Sequence, residues 1–328
     1  MSRIVRFHQL GGPEVLKIEE RPVPEPGPRE VLVKVSAIGL NRADVMFRTG
    51  QYLAQAILPS QLGFEATGTV VCSGQNATRF TAGDVVNVLP GFDLGRYGTY
   101  AEHIVMPEEF LLPQPAGLSN VEGSALWMAY LTAFGGLIEA GRLLADQWVV
   151  VSAASSSVGL AAIQVARQVG ARPIATTSSS DKREALLEAG AVDVIATREE
   201  SLKERLLDIS GGGVQCAFDA VGGPAVTDLA DAMRPGGTLV IHGALSPEGT
   251  PFPLKVALKK SLTFRGFVYT EVTQNPITLA RAQDFISAGA RAGFLRPQID
   301  KVFPLSDVVG AHRYLESNRQ FGKIVMSV

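Results

Sequence analysis

The sequence predicts a two-domain α/β protein in which a doubly wound parallel sheet interrupts a small β-barrel. Three observations lead there. At 328 residues the chain exceeds what one hydrophobic core usually organises. Residues 1–122 carry short alternating strands separated by turn residues, the texture of a small barrel. From residue 123 onward, strand-like runs alternate with segments of helical period, the texture of a βαβ sheet.

Taken in order, residues 30–38 alternate apolar and polar side chains, and similar runs recur at 68–72, 85–89 and 101–105. The segments between them are rich in Gly, Pro, Asn and Asp, as tight turns require. In the second region a strand at 148–153 runs into an apolar helix. Further strands follow around 172–177, 193–196, 214–222 and 237–245, with helices between them near 181–190, 201–209 and 225–237. Together they suffice for a Rossmann-type sheet of about six parallel strands over residues 123–265. The remainder, 266–328, holds two amphipathic helical segments and a terminal strand, and is expected to fold back onto the first domain.

Composition narrows the partner. Thirty basic and 32 acidic residues give a net charge of −2 with both signs interleaved, so no field would hold nucleic acid or an anionic membrane. Two cysteines, Cys72 and Cys216, exclude a disulfide framework and read as reduced thiols in strands. The chain starts without a long apolar stretch, and no apolar run approaches the ~20 residues that span a bilayer, which gives the cytoplasm as the expected address.

The turn after strand 148–153 is where a dinucleotide fingerprint falls. Its three slots are Ala154, Ser156 and Gly159, so the literal triple-glycine motif is absent. The requirement is small size, so that backbone N–H groups and the helix N-terminus reach a pyrophosphate. Ala154, Ser156 and Gly159 meet it, Ser156 and Ser157 add hydroxyl donors, and the whole turn Ala154, Ser155, Ser156, Ser157, Val158 and Gly159 is the candidate cradle, with an ordinary N-capped helix as the alternative. At the end of the next strand, Thr176 and Thr177 stand where an NAD-selective site carries an acid. Ser178, Ser179, Ser180, Lys182 and Arg183 instead offer hydroxyls and positive charge suited to the 2′-phosphate of NADPH. The competing view is a helix cap followed by a solvated charged turn.

These residues resemble the medium-chain dehydrogenase/reductase superfamily, specifically its zinc-free quinone oxidoreductase branch, which includes zeta-crystallin. The resemblance runs over essentially the whole chain. It rests on Gly39, Asn41 and Asp44 with Gly50 and Tyr52; on Leu62 to Ala66 with Gly68 and Val70; on Gly98 and Tyr100 to Glu102; and on Thr132 and Ala133. Gly159, Gln164 and Arg167, then Phe218, Asp219, Val221 and Gly222, and finally Gly322 to Val325 complete it. It implies a GroES-like barrel as the substrate domain and NADPH as the cofactor. Asn41 and Tyr52 would line the nicotinamide and substrate cleft as the candidate catalytic residues, and Thr132 would bond the cofactor. The turn 154–159 would hold the pyrophosphate, Thr177, Ser178 and Lys182 the adenosine end, and Gly243 with Phe267, Val268 and Tyr269 the carboxamide. A homodimer is common among such proteins. The chain departs from the branch in having Ser156 and Ser157 where Gly-Gly is usual and Thr197 in place of a tyrosine.

The zinc-dependent relatives carry a Cys at the place of Asn41 and a His at that of Phe64, and two cysteines cannot build a four-cysteine structural site. No metal is expected. Without a Lewis acid, a conjugated acceptor that delocalises its own charge is the favoured substrate. Tyr52 is a candidate donor to its oxygen. Asp44 reads as a structural carboxylate, and His242 as a residue at the carboxyl end of a sheet strand. The expected activity is therefore NADPH-dependent reduction of a quinone or other α,β-unsaturated carbonyl. An enoyl-thioester reductase, with Lys255, Lys259 and Lys260 as a basic groove, and a non-catalytic NADPH-binding protein are the alternatives.

Overall fold

A computed structural model describes residues 1–328. The chain divides into two units, one formed by Met1–Met128 with Arg296–Val328 and the other by Ala129–Leu295.

The second unit is a six-stranded, all-parallel sheet. Its order is Asp193–Ala196, Arg172–Thr177, Trp148–Val151, Val214–Asp219, Met233–Ile241 and Thr263–Gly266. The order reverses direction between Trp148–Val151 and Val214–Asp219, the switch point at which such sheets bind ligands. The central strands read as unbroken apolar runs because helices cover both faces. Val149, Val150 and Val151 are fully buried, and Val150 packs in one cluster with Ile174, Ile195, Leu206, Leu229 and Leu239. Each such side chain contributes about 1.5–3 kcal/mol by leaving water.

Helix Ser157–Gln168 starts where Ser156 Oγ accepts the N–H of Gly159 at 3.0 Å. It stops before Gly170, whose φ of +80° suits glycine. Its small residues Gly159, Ala161, Ala162 and Ala166 are buried, so the helix lies close on the sheet.

One expectation is corrected. Residues 233–237 were expected to end a helix, but the helix stops at Asp231 and strand Met233–Ile241 begins at once. Pro235 lacks an N–H and Gly236 adopts φ +76°, so the segment bulges out of the ladder between Val214↔Met233 and Cys216↔Thr238. The second unit runs to Leu295. Helix Pro276–Arg291 is held within it, since Phe285 packs on Phe134 at 5.3 Å and Arg281 pairs with Glu139 at 3.1 Å.

The first unit is built on a seven-stranded sheet around strand Glu30–Gly39. One edge of that strand pairs with Glu65–Ser73. The other edge is shared, first by His103–Pro107 and then by the terminal strand Lys323–Ser327. The C-terminal strand completes this unit. Helix Val308–Glu316 buries Val308, Ala311, His312 and Leu315, and helix Arg42–Arg48 buries Asp44, Val45, Phe47 and Arg48.

Candidate functional site

In the second unit, most of the predicted cofactor residues fall on the carboxyl edge of the parallel sheet. The turn Ala153–Ser156 follows the switch-point strand, and Ala153 holds φ at +46°, a left-handed conformation unusual for a residue with a Cβ. The turn is tied to the neighbouring strand by Ala154 N–H donating to Thr176 O at 3.0 Å. Gly159 is required by contact, because a Cβ there would stand 2.6 Å from both Cα and O of Ala154. The helix N-terminus thus closely approaches the turn. Ser156 Oγ accepts the Gly159 N–H and caps the helix, which leaves its own O–H available as a donor.

At the end of the adjacent strand, Lys182 Nζ donates to Ser155 Oγ at 3.3 Å and so joins the Thr177–Lys182 segment to the turn Ala153–Ser156. Arg183 does not contribute in the way its type suggested. Its guanidinium donates to Val194 O and pairs with Glu200. Thr197 bonds the carbonyl of Thr177 through both N–H and hydroxyl. Sequence reasoning also missed Glu199, which accepts the Ser180 N–H at 2.9 Å and brings a carboxylate to the loop.

Beyond the switch point, Asp219 organises the strand ends. It accepts from Ser152 Oγ at 2.5 Å and from the N–H groups of Val221 and Gly222, which is why that aspartate ends an otherwise apolar strand. Gly243 comes so close to the strand end at Ala220 that a Cβ would meet its carbonyl at 2.6 Å. His242 stacks on Phe218 at 3.9 Å, and desolvation lowers its imidazole to about 3, so it is neutral. Phe267 N–H donates to Ile241 O, Val268 N–H points to Glu271 at 3.4 Å, and Tyr269 is buried. Thr132 lies on helix Trp127–Phe134 rather than on the sheet edge. That helix continues into a π-helical segment, Gly135–Ala140, whose two glycines let Phe267 and Phe218 pack against bare backbone.

In the first unit the candidate catalytic residues sit over a buried polar cluster. Asn41 precedes helix Arg42–Arg48, and its N–H donates to Asp44 Oδ2 at 2.8 Å. The Asn41 side chain is held on three sides. Oδ1 accepts from Lys323 Nζ at 2.7 Å, and Nδ2 faces Gly39 O at 3.3 Å and Glu65 Oε1 at 3.1 Å. Lys323 also pairs with Glu65, both 1% exposed, and Glu65 Oε2 accepts the N–H of Met128 at the start of helix Trp127–Phe134. Glu65 and Lys323 were legible only as motif members. Tyr52 is half-buried and packs edge-on against Phe64 at 5.5 Å and Phe47 at 6.4 Å. It belongs to an aromatic cluster rather than to a bare surface turn.

This donor set does not fit zinc. An amide and a phenyl ring offer no anionic or imidazole ligand. Of the two nearby carboxylates, Glu65 is paired with an ammonium and Asp44 is fully buried against the Asn41 N–H, and no group of three His, Cys, Asp or Glu side chains is gathered anywhere. Lys260, expected in a basic groove, donates to the carbonyls of Asp231 and Met233 and so closes a helix end. That removes a main support for a carrier-binding groove.

Beneath Asn41, the fully buried Asp44 is raised to about 7, chiefly by desolvation and against the pull of the Asn41 N–H and Lys323. Below pH ~4 it is protonated in both folded and unfolded chains. Between pH 4 and 7 only the folded chain keeps the proton, so stability falls as pH rises through that window, by about 4 kcal/mol when complete. Asp44→Asn removes this dependence while keeping an acceptor for Asn41. Its melting temperature minus that of the parent should be more positive at pH 8 than at pH 5. Equal differences at both pH values would show that Asp44 ionises normally in the folded chain. The neighbouring His312, lowered to about 3 by burial, has the opposite pH sign and cancels in this comparison.

Comparison with known proteins agrees with this geometry. Residues 27–116 match the family described as alcohol dehydrogenase GroES-like domain, and 157–287 that described as zinc-binding dehydrogenase. A quinone oxidoreductase of Pseudomonas aeruginosa is 32% identical over 99% of both chains. The Escherichia coli quinone oxidoreductase crystallised with NADPH superposes with a TM-score of 0.91 at 30% identity over the full length of both. A solved protein named NAD-dependent alcohol dehydrogenase gives 0.90 at 32% identity over 99% of both.

Proposed function

The chain belongs to the quinone oxidoreductase family of the medium-chain dehydrogenase/reductase superfamily, and from that membership we propose that it reduces a quinone or other α,β-unsaturated carbonyl with NADPH and without a metal. One observation carries the cofactor reading. Lys182 bonds the glycine-dependent turn at the switch point of the sheet, so a cation stands between the pyrophosphate cradle and the adenosine end. Bound there, NADPH supplies the hydride.

In this reading Ala154–Gly159 hold the pyrophosphate, Thr177, Ser178 and Lys182 the ribose phosphate, and Gly243 with Phe267–Tyr269 the carboxamide. Thr132 and Asn41 bind the nicotinamide end, and Tyr52 donates a hydrogen bond to the acceptor's oxygen. The protein's main contribution is to orient two flat partners. Edge strand Thr263–Gly266 pairs on one side only, which supports a homodimer as part of the proposal. The near-neutral charge, and the lack of any helix long and apolar enough to cross a membrane, support a cytoplasmic enzyme that binds neither nucleic acid nor membrane.

The test is NADPH consumption with a naphthoquinone before and after exhaustive chelation. Turnover is expected, and chelation should change it by less than about twofold, since no ligand set is there to be stripped. Stoichiometric zinc by elemental analysis, with activity lost on its removal, would sink the metal-free reading.

A further inference from the structure

We infer that a polar cavity at the amino edge of the parallel sheet is a second ligand site, which takes a small oxyanion, a phosphate or carboxylate carried on a compact polar body. The cavity lies wholly within the second unit. The cofactor residues gather at the opposite, carboxyl edge of the same sheet, and of them only Phe267 also lines the cavity. Its volume of about 840 Å³ is that of a small-molecule site rather than of a bare ion.

The lining is polarised toward donation. Gln147 Oε1 accepts the Leu144 N–H at 3.0 Å, Gln215 Oε1 accepts the Trp148 N–H at 2.8 Å, and Asn275 Oδ1 accepts the N–H groups of Ile277 and Thr278. A backbone N–H bonds to the oxygen of a side-chain amide and not to its nitrogen, so all three orientations are fixed. Each NH2 group is left without a protein acceptor, and all three residues line the one cavity. Gln147 and Gln215 stand at the starts of the two central strands, away from the edge strand Thr263–Gly266 that a homodimer would cover.

Charge points the same way. Both acids of the lining are engaged, Glu271 with Arg265 and Glu139 with Arg281 at 3.1 Å. Arg142 has no such partner and supplies the one unbalanced charge of the lining. It also holds φ at +50°, in the left-handed region that favours glycine, immediately after the segment Gly135–Ala140 ends. Glycine would suit that turn better, so the side chain rather than the backbone accounts for an arginine here. The rim opens at Gly236, where a Cβ would meet nothing within 4 Å. A guanidinium and three amide NH2 groups disfavour a cation, and an apolar ligand would strip water from them without replacing its bonds. An anion with several oxygens satisfies them together.

The test titrates glycerol 3-phosphate, tartrate and neutral xylitol into the chain by calorimetry, with and without saturating NADPH. At least one anion should bind once per chain whether or not NADPH is present, and which one binds identifies the group read. Arg142→Gly should weaken that anion by about 10- to 150-fold, the loss of one charge-assisted contact, in a chain that still folds because glycine suits the left-handed turn. Gln215→Glu keeps the oxygen that accepts the Trp148 N–H but exchanges an NH2 for an anionic oxygen, and should weaken the anion at least about tenfold. Melting temperatures report whether each variant folds, and if Gln215→Glu does not, Arg142→Gly decides. No binding of either anion at millimolar concentration, xylitol binding as well as both anions, or equal affinity in parent and Arg142→Gly overturns the inference. Binding that NADPH abolishes would put the anion in the cofactor turn and overturns it too. A chain that binds no NADPH overturns the proposed function, and the two variants still decide this site.

Discussion

Lys182→Ala should weaken NADPH by about 10- to 150-fold and NADH by less than about twofold. A charge-assisted contact to a phosphate contributes on the order of 1.5–3 kcal/mol, and NADH has no 2′-phosphate to make it. The structure narrows this expectation to one residue. Arg183, the other cation of the loop, is engaged by Glu200 and the Val194 carbonyl, whereas Lys182 reaches the turn Ala153–Ser156 through Ser155. Glu199 acts in the opposite sense, because its carboxylate sits on the Ser180 N–H and repels a phosphate placed there. Direct titration of the parent and variant with both cofactors checks this. Equal losses for NADPH and NADH would mean that Lys182 supports the turn and does not read the phosphate.

The strand, turn and helix around Gly159 were legible in sequence because their constraints are local. A strand, a turn of small residues and an apolar helix lie within about twenty residues, and Gly159 announces a close approach that the structure confirms through Ala154. The polar cluster of the first unit was not legible, because its members are far apart in the chain. Lys323 lies 258 residues from Glu65 and 282 from Asn41, and no periodicity links them. One signal was present: a lysine opening the apolar terminal strand Lys323–Ser327 must either reach solvent or find a partner. The misplaced helix end at 233–237 and the engaged guanidinium of Arg183 have a common cause. Residue type gives capacity, and tertiary context decides which capacity is used.

The enzyme should reduce a naphthoquinone at least about a hundredfold faster than it oxidises any simple alcohol, on the scale that a missing acid–base group sets. Alcohol oxidation requires the hydroxyl proton to leave as hydride departs, which metal-dependent enzymes achieve by coordinating the oxygen and lowering its pKa. Here the residue at the place of each missing ligand has another engagement. The Asn41 amide is held by Lys323, Glu65 and Gly39, and Phe64 is a buried ring packed on Tyr52. The buried carboxyl of Asp44 is directed at the Asn41 backbone, so it offers no base to a substrate. In the reductive direction no base is needed. A quinone accepts hydride to give an aromatic phenolate that is stable without immediate protonation, whereas an enone gives an enolate that must be stabilised or protonated. Tyr52→Phe should therefore slow an enone about tenfold, the value of one hydrogen bond to a charged oxygen, and slow a quinone by less than about threefold. Rates for a naphthoquinone, an enone and a secondary alcohol, measured on parent and variant after metal removal, check both statements. Alcohol oxidation as fast as quinone reduction would overturn the reaction class, and equal rates for Tyr52→Phe and the parent on both acceptors would remove Tyr52 from the mechanism while leaving that class standing.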